Sequence, residues 1–164
     1  MAKKKLPRGI RNCNPLNIRR NPRNKWVGLV DYKSTFVEFN GAQCEAREYD
    51  GTFCQFAQME QGYRAAALLL HRYIKSGCNT YEKIINRWAP ANENNTAEYI
   101  NRVCNYCITM PDNVVSFCAE DIIPLLAAMT IVENGLQYDP FRGNDELLKA
   151  LQGGFQLAQS LCPF

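Results

Sequence analysis

From residue 59 onward, apolar residues recur three and four positions apart, the spacing of helices with one buried face. The pattern predicts a long helix over 59–74, stopped by Ser76-Gly77. A second follows Thr80, which reads as its cap, with Tyr81, Ile84, Ile85 and Trp88 on one side. A loop over 89–95 leads to a third helix, read as capped by Thr96, with Tyr99, Ile100 and Val103 inward. A fourth carries Leu125, Leu126, Met129 and Val132 and stops at Asn134-Gly135, a pair that tolerates a left-handed cap. A last helix covers about 146–161. Before residue 59 the period shortens. Residues 26–30, 35–39 and 52–56 are short and β-rich, and Asn40-Gly41 and Asp50-Gly51 are hairpin signals. Ahead of them Asn12, Asn14 and Asn17 favour a turn. The expected class is α+β, mostly helical, with a small antiparallel β lobe over about 25–57 and a helical lobe over 58–164.

One acid stands out against this pattern. Glu133 falls in the last turn of an apolar helix, where the negative end of the helix dipole disfavours its ionised form. Apolar neighbours disfavour it further by desolvation. Both effects raise its pKa, which is what a general acid needs at neutral pH. The plainer reading is a solvated helix-end residue.

Composition narrows the classes. The hydrophobic fraction is 46%, ample for a core, yet no apolar run is long enough to span a bilayer. The N-terminus is basic without the apolar centre of a signal peptide, so synthesis in the cytoplasm is expected. The net charge of +3 is unevenly spread: nine Lys or Arg and no acid lie in the first 25 residues. Such a head suits a polyanion, either nucleic acid or an anionic cell wall; residues 1–8 also read as a solvated leader, here bounded at 1–11. No DNA-recognition helix or RNA-binding aromatic signature accompanies it, so no nucleic-acid partner is expected. Eight cysteines are scattered, and Cys104 and Cys107 form a CxxC without a second pair; His71 is the sole histidine. No metal site and no cofactor are expected, and the thiols read as reduced.

The chain has no nucleophile elbow, phosphate loop, dinucleotide fingerprint or zinc-protease motif. With one histidine, carboxylates remain as the chemistry-bearing groups, and paired carboxylates suit glycoside cleavage. Such a pair needs a second carboxyl, and the β-rich stretch holds Glu38, Glu45, Glu48 and Asp50.

Several stretches carry a resemblance. Asn14-Pro15-Leu16-Asn17-Ile18-Arg19 followed by Trp26-Val27-Gly28 resembles N-L-F-G-I-K followed by W-x-G. Residues 35–41 resemble T-x-E-Y-x-x-G, and residues 53–62 resemble F-R-x-Y-x-S-x-E-x-S. Residues 95–103 resemble E-T-x-x-Y-V-x-x-V, and the Glu133 helix resembles A-x-x-E-S/T-G with Asn134 at the Ser/Thr position. These are motifs of the lysozyme-superfamily cell-wall hydrolases, namely flagellar-muramidase-type glucosaminidases and lytic transglycosylases. In those families the catalytic helix precedes the N-L-F-G-I-K run; here it comes near the C-terminus, so the resemblance implies a circularly permuted lysozyme-like domain. Residues 8–11, Asn14-Pro15, residues 87–90 and a late Glu also resemble small phage and prophage proteins described as virion or structural proteins.

The resemblance implies cleavage of peptidoglycan glycan strands by a monomer acting at the cell wall or carried in a virion. Glu133 would be the general acid and Glu38 the second carboxylate. Asn17, Trp26, Gln55, Thr96 and Tyr99 would bind substrate. A non-catalytic glycan-binding or virion structural protein is the alternative.

Overall fold

The structure, a computed structural model, describes residues 6–32, 35–39 and 42–162, with backbone alone for 35–39 and 42–47. The main elements, in chain order, are α1 (Arg8–Arg11), β1 (Thr35–Phe39), β2 (Ala42–Arg47), α2 (Met59–Lys75), α3 (Tyr81–Trp88), α4 (Thr96–Cys107), α5 (Ala119–Asn134) and α6 (Asp145–Ser160). A single 3-10 turn, Leu136–Tyr138, follows α5.

Helix α5 is the axis of the core. It is apolar all round, as buried helices are: Ile122, Leu125, Leu126, Ala127, Ala128, Met129 and Ile131 are all buried. Its one buried hydroxyl, Thr130, donates back to the Leu126 carbonyl at 2.7 Å and meets the Tyr63 hydroxyl of α2 at 2.8 Å. The helix starts at Ala119, earlier than the apolar spacing predicts, with Glu120 and Asp121 in the dipole-favoured first turn. Pro124 sits inside it, so a residue that usually marks a helix start hid the first turn. Helices α2 and α6 lie against each other closely enough that a side chain at Gly154 would strike the Glu60 backbone and Tyr63.

The helix stops and starts follow local chemistry. Thr80 caps α3 by accepting from the Lys83 amide at 3.2 Å. Helix α4 is capped by Asn95, which accepts from the Glu98 amide at 3.3 Å, rather than by Thr96.

The α+β expectation does not hold. Of the stretch over 25–57 only β1 and β2 form a ladder, one antiparallel ribbon, and every other regular element among the described residues is helical. The fold is a helical one, and the permuted lysozyme-like class with a β lobe facing a helical lobe is replaced by it. The turn Asn40-Gly41 lies outside the described residues. Residues 26–30 and 52–56 form no strand ladder; their strand-like pairings are isolated bridges, Leu29 with Phe56 and Arg19 with Phe53. The reason is side-chain competition for backbone groups. Asp50 Oδ1 accepts from the Thr52 and Phe53 amides at 2.9 Å each, folding that segment into a turn. Buried Asn14 accepts from the Ile18 amide and donates to the Ile18 and Cys54 carbonyls, at 2.9, 3.0 and 2.9 Å. Apolar residues of the irregular segments, Trp26, Cys54 and Phe56, are buried all the same, so β-rich composition here reflects burial. Leu6 and Ile10, within the stretch read as a leader, also join the core.

Candidate functional site

The site forms where the C-terminal end of α5 meets the first turn of the chain. Helix α5 ends at Asn134, and Gly135 takes a φ of 112°. Asn134 Nδ2 donates to the Pro15 carbonyl at 2.7 Å, across 119 residues of sequence. The turn it grips is the one Asn14 organises, and there Asn17 adopts a left-handed φ of 52°. That conformation, unusual outside glycine, brings Asn17 to Glu133: Asn17 Nδ2 donates to Glu133 Oε2 at 2.8 Å. From α4, the Tyr99 hydroxyl donates to the other oxygen, Oε1, at 3.1 Å.

Burial is the largest influence on Glu133 and pushes its carboxyl above the ordinary value, while the bonds from Asn17 and Tyr99 pull it back down without cancelling the rise. Tyr99 is buried too. Desolvation first, and the neighbouring Glu133 carboxylate second, push its hydroxyl well above the usual range, so it remains a neutral donor. Beside Glu133 opens a cavity of about 240 Å³, lined by Tyr99, Glu98 and Arg102 of α4, Asn94 and Asn95 of the preceding loop, and Val132 of α5.

Three residues singled out in the sequence, Glu133, Asn17 and Tyr99, therefore share one site. The others lie elsewhere. Gln55 is fully buried and spends its amide on the protein: it donates to Asn12 Oδ1 at 3.0 Å and the Glu48 carbonyl at 2.7 Å, and accepts from Arg20 at 3.2 Å and the Asp50 amide at 3.1 Å. Trp26 is buried under the Arg72 guanidinium, 4.9 Å from its ring centre. Thr96 is buried and its hydroxyl donates to the Ala89 carbonyl. The side chains of Glu38 and Glu45 lie outside the described residues. Glu48 is exposed, and Asp50 is bound into the Gln55 network. The carboxylate that does line the cavity with Glu133 is Glu98, which the sequence reading passed over. Its signal was available: Asn95, Glu98, Tyr99 and Arg102 recur at helical spacing and share one face of α4.

Among the described residues no group of His, Cys, Asp and Glu is arranged to hold a metal ion. The described cysteines are free thiols, and burial pushes Cys104 and Cys107 upward. No described helix is long and apolar enough to cross a membrane.

Fold and site together define a small helical protein that holds a protonation-prone carboxyl at the edge of a polar cavity. No family model matches the chain. It is 36% identical over 152 residues to Protein P5 of Pseudoalteromonas phage PM2, a match covering 90% of this chain and 82% of that protein. The chain belongs to the family of that phage protein.

Proposed function

We propose that this protein cleaves glycan strands of peptidoglycan, with Glu133 as the general acid, and that it works as part of a phage. The observation that carries the reading is the Glu133 carboxyl: raised by burial, held on both oxygens, and open to a cavity. A carboxyl whose protonated form is favoured by burial can hand its proton to a glycosidic oxygen as the bond to the sugar breaks. The Tyr99 and Asn17 donors then stabilise the carboxylate left behind. Departure is assisted by a second carboxylate, by the sugar's N-acetyl group, or by its own 6-hydroxyl; Glu98 is the described carboxylate placed in the same cavity. The motif resemblance of residues 14–19, 95–103 and 126–135 supports the same chemistry.

A second reading, a virion component that holds glycan without cutting it, is favoured by the kinship with a phage protein. Mass spectrometry of products released from purified peptidoglycan, wild type beside Glu133→Gln, separates them. Soluble muropeptides from wild type alone support cleavage, and their new ends name the bond. No products from either leaves the virion role. Equal products from both would mean that another carboxyl is the acid.

A further inference from the structure

A second cavity, of about 350 Å³, lies between α4, the end of α5 and the turn that follows it. It meets the Glu133 cavity at two shared side chains, Arg102 and Val132, so the two cavities adjoin there. The Glu133 half alone is smaller than the usual small-ligand site of about 300–1,000 Å³. Together they make a place for a branched or extended ligand.

The halves differ in chemistry. Around Glu133 the walls are amides, carboxyls and a phenol, which suit the hydroxyls and acetamido group of a sugar. The second half is floored by Ala128, Ile131, Val132 and Leu136, and Leu136 is 77% exposed. Over that floor a sugar ring would lose water without gaining hydrogen bonds; the polar lining is Asn105, Tyr106 and Asp139 with two arginines. Cations mark the rim. Arg102 forms no ion pair with a described residue. Arg142 is 87% exposed and lies 3.5 Å from Asp139. That pair is made through Oδ2 of Asp139, and a long pair of this kind, to an exposed arginine, competes weakly with a ligand; the other oxygen, Oδ1, accepts from the Tyr106 hydroxyl at 2.8 Å and the Phe141 amide at 2.9 Å. The half beyond Arg102 therefore offers an apolar floor and excess positive charge.

We infer that this second cavity is a subsite for the peptide branch of the glycan strand, a short chain of small apolar residues carrying carboxylates, bonded to a sugar seated beside Glu133. The inference rests on the glycan-strand reading of that site. It assigns Leu136 to cover the apolar part of the branch, and Arg102 and Arg142 to meet its carboxylates.

The test is binding, so that it does not depend on turnover. The full chain carrying Glu133→Gln is titrated calorimetrically with an N-acetylglucosamine–N-acetylmuramic acid disaccharide, with and without its peptide. The peptide-bearing fragment should bind about tenfold more tightly, the scale of one added charge-assisted contact. Leu136→Ala and Arg142→Ala, both at exposed positions, should bring it down to the affinity of the bare disaccharide. Equal affinity for the two fragments overturns the inference, as does a preference that both variants leave intact, or no binding of either fragment. Product release by the wild type is scored separately. Cleavage without peptide preference would sink the subsite and spare the function; peptide preference without any cleavage by the wild type would do the reverse.

Discussion

Asp50 and Glu133 are both largely surrounded by protein, both accept hydrogen bonds, and they are displaced in opposite directions. Burial raises each of them first. At Asp50 the amides of Phe53 and Thr52, the Asn12 amide at 3.1 Å and the Arg8 guanidinium at 3.7 Å overcome it, and the carboxyl sits below its ordinary value. At Glu133 one amide and one phenol do not, and the carboxyl sits above it. The difference is the deeper burial of Glu133 together with the larger number of donors and the cation at Asp50. Asp50 belongs to a network in which its partner Gln55 is fully satisfied, which is the mark of a structural element. Glu133 has fewer partners and an opening, which is the mark of a reactive one.

The largest effect that bears on this contrast is Glu133→Gln. Release of soluble products from peptidoglycan should fall by about a hundredfold to ten-thousandfold. Stability should move the other way. A carboxyl with a raised folded-state pKa stabilises the fold below its unfolded pKa, and that contribution is lost as pH rises through the folded value. The variant should therefore gain on wild type between mildly acid and neutral pH, read by thermal melting across that range. A variant that unfolds more readily at every pH would place Glu133 among the structural carboxyls.

Next is Gln55→Ala, which strips four hydrogen bonds from a buried cluster. A loss of about 3 kcal/mol in urea denaturation is expected. Retained stability would show that the network is not what holds the irregular segment. Asp50→Ala should cost less, about 1–2 kcal/mol at neutral pH. Its sign with pH is opposite to that of Glu133: a lowered carboxyl contributes above its unfolded pKa and the contribution is lost as pH falls through the folded value. The gap between wild type and variant should close on acidification. The smallest change is Tyr99→Phe. Removing a bond that favours the carboxylate raises Glu133 further, so the alkaline arm of the cleavage profile should move to higher pH. An arm that stays in place would detach Tyr99 from the acid.

The helices were legible because their apolar period is long and regular, and Thr80 and Gly135 punctuate them as sequence chemistry requires. The β lobe was misread because Trp26, Cys54 and Phe56 are buried in loops, and burial and strand preference select the same residue types. What pulls those loops out of a sheet is the reach of Asn14, Asp50 and Gln55 to distant backbone groups, and spacing along the chain does not reveal that. The site was half legible. Glu133, Asn17 and Tyr99 could be named from motifs, but Gln55, Trp26 and Thr96 sit in similar-looking motif positions and turn inward to structural partners. Glu98 shares a face of α4 with Asn95, Tyr99 and Arg102, and only the cavity gives it significance.

Asn17 has a further property. Its Oδ1 is buried with no partner among the described residues, while its Nδ2 holds the Glu133 carboxylate. The two ends of an amide are nearly the same shape. A half-turn about the last torsion would exchange them and set Oδ1 to accept from Glu133 once the acid has regained its proton. One side chain can thus greet both forms of the carboxyl, as donor after the proton leaves and as acceptor when it returns. Aspartate at position 17 could only accept, so an otherwise small Asn17→Asp change would favour the protonated acid and leave it able to recharge but poorly able to discharge.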